Sequence, residues 1–269
     1  MAGSTYRMTI RLWLSAILLS FALYVAFTGL QEWQRTRPND HDLAFPQGRL
    51  RIGTDPTYPP FAYDDGQGFA GIDIELGYTL AERIGIEVQF VPISFDGLYD
   101  ALHNGQVDIL ISALRPNPMR NNQVRYTQPY FDNGLVLVSD ADTPLATMSD
   151  LTDRSLAVEY GSLAHSVANN RAQRIAPFEL LHYELPQYAL DAVRLQVAEG
   201  TLVDTITYQL YQRDYAEWTH HVTRVTSNHY AIAVRGDRVV TWDWINATLG
   251  ELAEDGTLQA IIDRGFERS

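Results

Sequence analysis

GIDIELGYTLAERIGIEVQFVPISFDGLYDALHNGQVDILISAL, residues 71–114, decides the fold. Ile72, Leu76, Leu80 and Ile84 recur every four residues, which is one face of a helix, and Gly85 ends it. Residues 88–92 read as a strand. Residues 98–102 begin a second helix, stopped by Asn104-Gly105. The apolar run at 107–114, VDILISAL, suits a strand buried on both faces. Ahead of this stretch, RLRIGTD at 49–55 alternates and then turns, as a first strand does. Strand, helix, strand, helix, strand predicts a parallel α/β sheet.

The pattern recurs downstream. Residues 156–159 read as a strand, 189–198 as a helix followed by Glu199-Gly200, and 202–207 (LVDTIT) as a strand. LYDALHNGQVDILIS at 98–112 and AVRLQVAEGTLVDTIT at 192–207 share an order: helix, Gly stop, short turn, strand with an early Asp. This matches Gly105 to Gly200 and Asp108 to Asp204, one residue apart in spacing. The tail, 242–266, is helical, with Asp255-Gly256 as an interruption. The expected fold is α/β: two Rossmann-like lobes joined by a two-stranded hinge. Lobe 1 takes residues 49–131 and 230–269, lobe 2 takes 134–228, and the crossings fall near Asp132 and Asn228. In open α/β sheets ligands sit beyond the carboxyl ends of strands, and inter-lobe crevices are favoured sites.

Composition narrows the class. The 269 residues are 46% hydrophobic and 20% charged, as in globular proteins, with a formal net charge of -13. That charge disfavours nucleic acid, which attracts basic surfaces. The absence of cysteine excludes disulfides, thiolate nucleophiles, thiolate zinc sites and a lipid-modified N-terminal cysteine. All 20 cationic side chains are arginine, so Schiff-base chemistry is excluded as well. The seven histidines are scattered apart from His220-His221, read as a solvated loop. No metal site and no cofactor is expected.

Residues 1–48 precede the fold. The run at 12–30, LWLSAILLSFALYVAFTGL, carries no charge; Arg7 and Arg11 stand ahead of it, and Trp13 and Trp33 bracket it. About 19 residues at roughly 1.5 Å each nearly cross a hydrocarbon core. A cleaved signal peptide and an uncleaved anchor both fit. The length of the run and the lack of an A-x-A site favour the anchor, although Arg35 and Arg37 beyond it weaken the charge asymmetry. Residues 31–48 read as a polar tether.

The candidate site lies in the loops that leave each strand. Asp55 opens DPTYPPF at 55–61, where prolines stiffen the loop that presents Tyr58. Phe95 comes after the second strand. Ser112, Ala113 and Leu114 come after the third and lead into RPNPMR at 115–120. Asn117 is a good N-cap, Pro118 suits the first helical position, and Arg120 then falls in a first helical turn, where backbone N–H groups favour an anion. On these grounds alone Arg120 is equally a solvated surface arginine, and Tyr58 and Phe95 are equally core residues.

These segments resemble the family-3 extracellular solute-binding proteins, amino-acid receptors of ABC importers. GIDIELGYTLAERI at 71–84 fits the family's signature helix. IGTDPTYPPFAY at 52–63, FDGLYDALHNGQVDILIS at 95–112, QPYFDNGLVLV at 128–138, YAIAVRGD at 230–237 and ELAEDGTLQAIIDRGF at 251–266 stand in the family's order. The resemblance implies a type II periplasmic-binding fold that closes on its ligand. It implies that Tyr58 and Phe95 sandwich the ligand, that Arg120 grips an α-carboxylate, and that Ser112 and Ala113 contact the amino group. It further implies that Ser162 and Leu163, after Gly161, close on the carboxylate, and that Asp55 lies near the ligand side chain. Three departures stand out. Arg115 replaces a Ser or Thr, and Ser162-Leu163 replaces a pair of hydroxyl residues. Gln209, beside Tyr208 and Gln212, falls where an Asp for the α-ammonium is usual.

The expected function is an extracytoplasmic binding protein, monomeric, that hands an amino acid or small carboxylate to an ABC permease and is held at the membrane by its N-terminal segment. A sensory ligand domain is one alternative. A dehydratase-type enzyme on the same scaffold is another, with Glu159 as the tempting acid. In the binding reading Arg115 faces the cleft or points outward. If 12–30 is an uncleaved anchor, protein expressed in an exporting bacterium sediments with membranes and keeps residues 1–40. A soluble mature product starting between about residue 27 and residue 45 would refute it.

Overall fold

The computed structural model describes residues 40–174 and 177–268. The anchor expected at 12–30 lies outside them, and among the described residues no helix is long and apolar enough to cross a membrane. The chain divides into Met1–Pro46 and Gln47–Ser269. Of the first unit, the described part is one short helix, α1 (Asp40–Ala44). The second unit holds all the described strands.

Two five-stranded sheets repeat one plan. The first has the order β5-β1-β6-β13-β7: β5 (Glu87–Pro92), β1 (Arg49–Thr54) and β6 (Ile109–Leu110) run parallel, and β13 (His229–Arg235) is antiparallel to both β6 and β7 (Val124–Asp132). The second has the order β10-β9-β11-β8-β12: β10 (Glu179–Tyr183), β9 (Ser155–Glu159) and β11 (Gly200–Asp204) run parallel, with β8 (Leu135–Asp140) and β12 (His220–Arg224) antiparallel. A three-stranded sheet of β2 (Thr57–Tyr58), β3 (Ala62–Asp64) and β4 (Phe69–Ala70) carries the DPTYPPF loop.

The helical periodicity of the opening stretch becomes α2 (Ile72–Ile84), whose Ile72, Leu76 and Leu80 are fully buried and whose end is turned by Gly85 in the left-handed region. Next comes α3 (Leu98–His103), whose Leu98 and Leu102 pack with Leu110, Leu114 and Val124. The second half carries α4 (Leu163–Ala172), α5 (Pro186–Arg194) and α6 (Thr205–Asp214), over a separate core of Leu135, Leu137, Leu151, Leu156 and Leu202. The C-terminal α7 (Val239–Glu254) and α8 (Thr257–Arg268) return to the first half, broken at Asp255-Gly256. The seam between α2 and α8 is closed by Arg264 and Glu75.

The second repeat corrects the sequence reading. The helix expected over 189–198 stops at Arg194, and the expected strand 202–207 is instead 200–204, after which α6 begins at once. The cause is Gln196, which takes φ 60 and turns the chain without glycine, whereas Gly200 lies inside the strand. Gln196 thus plays the part of Gly105, at φ 69. Three residues after each comes a carboxylate that reaches the neighbouring parallel strand. Asp108 accepts from Arg51 N–H at 2.9 Å, and Glu199 accepts from Ser155 N–H at 2.8 Å. In this register Asp108 matches Glu199, and Asp204 matches Ala113 at the strand end.

Two backbone segments join the halves: β7 to β8 at 132–135 and β12 to β13 at 224–229. They run so close that a Cβ on Gly134 would sit 1.8 Å from the Thr226 carbonyl oxygen. Gly134→Ala must therefore push the two segments apart. We expect about 2–3 kcal/mol of destabilisation, read as a fall of roughly 5–10 °C in thermal midpoint. An unchanged midpoint would mean that the crossing yields without cost.

Candidate functional site

Three recesses open at the crossing, and Asn228 lines all of them. Two belong to the first half. One, of about 450 Å³, is bounded by Asp55, Tyr58, Phe95, Ser112, Arg115 and Tyr230. The other, of about 690 Å³, is bounded by Phe95, Tyr99, Arg115, Asn117, Arg120 and His229. The third, of about 180 Å³, lies on the second half, among Glu159, Ser162, Leu163 and Asp204.

The aromatic walls are exposed. Tyr58 is 44% and Phe95 55% accessible, so neither is a core residue. Tyr58 stacks on the fully buried Phe61, with ring centroids 5.7 Å apart, and its hydroxyl meets that of Tyr230. Partial burial, then the Tyr230 hydroxyl, push the Tyr58 phenol above its ordinary range, so it stays a neutral donor. Asp55 is a loop staple. Its carboxylate accepts from Phe95 N–H at 2.8 Å and from the Thr57 hydroxyl at 2.7 Å, and its own N–H donates to Ser112 Oγ at 3.0 Å. The Asp55 carboxylate thereby fixes the aromatic pair.

Beyond β6 the chain runs past the ladder. The strand expected over 107–114 pairs only at Ile109 and Leu110, and Ala113 then takes φ 46. The Ala113 N–H turns inward, to Asp73 Oδ2 at 2.9 Å and the Tyr130 hydroxyl at 3.0 Å. Asn117 caps Met119 N–H as its residue type suggests, but the helix is a single three-residue turn, Pro118–Arg120, with Arg120 at its end rather than at the start of a long helix. The Arg120 guanidinium lies over the Tyr99 ring, 4.1 Å from the centroid, beside the larger recess. Arg115 is exposed and lines both first-half recesses, so it faces the cleft rather than pointing outward.

On the second half, Ser162 caps α4: His165 N–H donates to Ser162 Oγ at 3.1 Å, while Leu163 and Ala164 head the helix with N–H groups that helix geometry leaves unpaired. Leu163 is exposed and lines the recess, as do Ser162 and Glu159. Asp204 caps α6, accepting from Thr207 N–H at 3.0 Å and the Thr207 hydroxyl at 2.7 Å, and it too lines the recess. Gln209 does not: it sits in the second turn of α6, and none of the three recesses includes it. The carboxylate that lines this recess at the strand end is Asp204, and the signal that could have found it was the spacing of Gln196 and Glu199.

Sequence reasoning also left two things apart that the fold joins. His165 and His182 meet with their Nε2 atoms 3.2 Å apart, and His220, on a strand rather than a loop, stacks on Trp218 and bonds the Tyr208 hydroxyl at 2.8 Å. Among the described residues no group of three or more metal-ligating side chains forms. The cleft can therefore offer guanidinium and helix-start N–H groups to an anion, a carboxylate to a cation, and two aromatic faces between them.

Comparison with known proteins covers most of the chain. Residues 50–268 match the description "Bacterial extracellular solute-binding proteins, family 3". The chain is 25% identical over 224 residues to the arginine-binding extracellular protein ArtP of Bacillus subtilis (strain 168), covering 81% of this chain and 86% of that one. It is 26% identical over 224 residues to ABC transporter arginine-binding protein 1 of Escherichia coli (strain K12), covering 81% and 90%. In fold it is similar to the L-cystine solute receptor of Neisseria gonorrhoeae, with a TM-score of 0.72 at 21% identity, over 86% of this chain and 98% of that one.

Proposed function

We propose, from the premise that the chain belongs to the bacterial extracellular solute-binding proteins of family 3, that it captures an α-amino acid outside the cytoplasm and delivers it to an ABC permease. The observation that carries this is the complementarity of the two half-sites. The first half supplies Arg120 and an aromatic pair, and the second supplies Asp204 and the capped start of α4, all opening on one crossing.

Each group of a zwitterion then has a partner. Arg120 takes the carboxylate in a two-pronged hydrogen bond, a geometry guanidinium fits well. Leu163 and Ala164 N–H at the head of α4 close on the same carboxylate from the other side. Asp204 takes the ammonium. Tyr58 and Phe95 enclose the side chain, and Arg115 and Glu159 border its outer end. The two lobes, 49–131 with 230–269 and 134–228, close about 132–135 and 224–229, the hinge-closure mode of two-lobed binders. The two relatives described above are both named as arginine-binding proteins, which favours an amino acid over other carboxylates and a binding protein over a dehydratase. The N-terminal run at 12–30 holds the protein at the membrane surface.

Calorimetry with amino acids and their deaminated analogues tests the assignment. Arg120→Ala breaks a desolvated ion pair, worth about 3–5 kcal/mol, so affinity should fall by roughly two orders of magnitude or more. Asp204→Asn keeps the helix cap, since Asn caps as well as Asp, and should weaken the amino acid about a hundredfold while sparing the analogue. Gln209→Asp should change neither. Equal affinity of the wild type for amino acid and analogue would remove Asp204 from the ammonium site. An unchanged radius of gyration with saturating ligand would count against closure.

A further inference from the structure

We propose that Asp73 and Tyr130 are positioning residues for ligand capture: from behind the cleft they hold Ala113 in the backbone geometry that sets the first half-site, and the charge on Asp73 tunes affinity. This rests on the solute-binding reading above. Asp73 is fully buried and Tyr130 is 3% accessible. Among the described residues no arginine or histidine pairs with Asp73; its carboxylate meets the Tyr130 hydroxyl at 2.7 Å and Ala113 N–H at 2.9 Å. A buried carboxylate without a cation is costly, and it points to a geometry that needs it.

That geometry is Ala113. Its φ of 46 is one that L-residues avoid, and such a residue persists only where the surroundings over-determine it. What Ala113 fixes extends further. Ser112, next to it, accepts Asp55 N–H, and Asp55 in turn accepts Phe95 N–H. Arg115 comes two residues on and lines both first-half recesses. One buried carboxylate thus registers an aromatic wall and a guanidinium of the cleft without touching ligand.

The groups facing this spot are few. Tyr130 comes from β7, Tyr230 from β13 lies within electrostatic reach of it, and Glu75 on α2 itself is paired with Arg264 and Arg268 of α8. Burial, opposed by the Tyr130 and Ala113 hydrogen bonds, raises the Asp73 carboxyl to about 7. The ionised form accepts both donors, whereas the protonated form must itself donate and leaves one of them unmatched. Affinity should therefore be full above about pH 7 and fall as pH drops through it. Stability runs the other way. A carboxyl raised in the folded state holds its proton where the unfolded chain has lost it, so this contribution weakens as pH rises from the usual carboxylate range to about 7.

The probes are the twenty standard L-amino acids, titrated calorimetrically at about pH 8 and about pH 5.5, together with hydrogen exchange at the Ala113 amide. For each that binds, the wild type should bind about tenfold more tightly at the higher pH, the factor carried by one unit of pKa linkage. Asp73→Asn should flatten that profile, weaken binding at the higher pH by about tenfold, speed Ala113 exchange, and leave the thermal midpoint there no lower. A pH profile that survives in Asp73→Asn would overturn the proposal, as would Ala113 exchange equal to wild type. Should Asp73→Asn fail to fold, Tyr130→Phe, read the same way, should give a smaller loss with faster Ala113 exchange; no change in either overturns the proposal. If no amino acid binds, the functional reading fails, while Ala113 exchange still decides the positioning role.

Discussion

The two crossing segments are held together by Asp132, the carboxylate at the first of them. Its Oδ1 accepts Gly134 N–H at 2.9 Å and Asn228 N–H at 2.7 Å, one from each crossing segment, and its Oδ2 faces Arg224 at 3.2 Å. Burial alone would raise this carboxyl; the bonds from Asn228 and Ser227 and the Arg224 charge outweigh it and draw it below the usual range. Asn133 beside it extends the staple, accepting Ile206 N–H at 3.0 Å and donating to the Tyr230 hydroxyl at 3.2 Å. Ile206 is in the first turn of the helix capped by Asp204, and Tyr230 meets Tyr58. These bonds tie Tyr58 of one half to the helix capped by Asp204 in the other through the crossing itself.

The architecture was readable because its strongest signals are local. The four-residue recurrence from Ile72 to Ile84 and the alternation at 49–54 became α2 and β1, and the repeated order of elements became two sheets of one plan. The site was readable where a residue's neighbours in sequence are its neighbours in space, as for Asn117 capping Met119. It failed where a backbone conformation was adopted by an unexpected residue. Gln196 turns left-handed without glycine, so counting from Gly200 displaced the second repeat and paired Asp108 with Asp204 instead of Glu199. It failed also where contacts cross the chain: Asp73 and Ala113 are forty residues apart in sequence, and no spacing rule connects them.

Charge is distributed unevenly. Arg51 with Asp108, and Arg194 with Asp191, are partly buried pairs with further hydrogen bonds, and they lock element ends. Pairs such as Arg235 with Asp237 are local and largely solvated, and contribute little. Arg115 and Arg120 differ from both. No carboxylate lies within ion-pair distance of either among the described residues, and both line the cleft. Arg120 is held against the Tyr99 ring instead of a carboxylate, and both guanidinium groups border aromatic faces of the recesses.

The return of the chain through β13 has a mechanical consequence. The sheet-bearing unit is entered at β1 and left through α7 and α8, which pack on the first half, with α7 against β7 and α8 against α2. A pull on the polypeptide at either end of that unit is therefore borne by the first sheet. The second sheet lies off that path, joined to it by two adjacent segments of backbone and by the packing of α6 against α8.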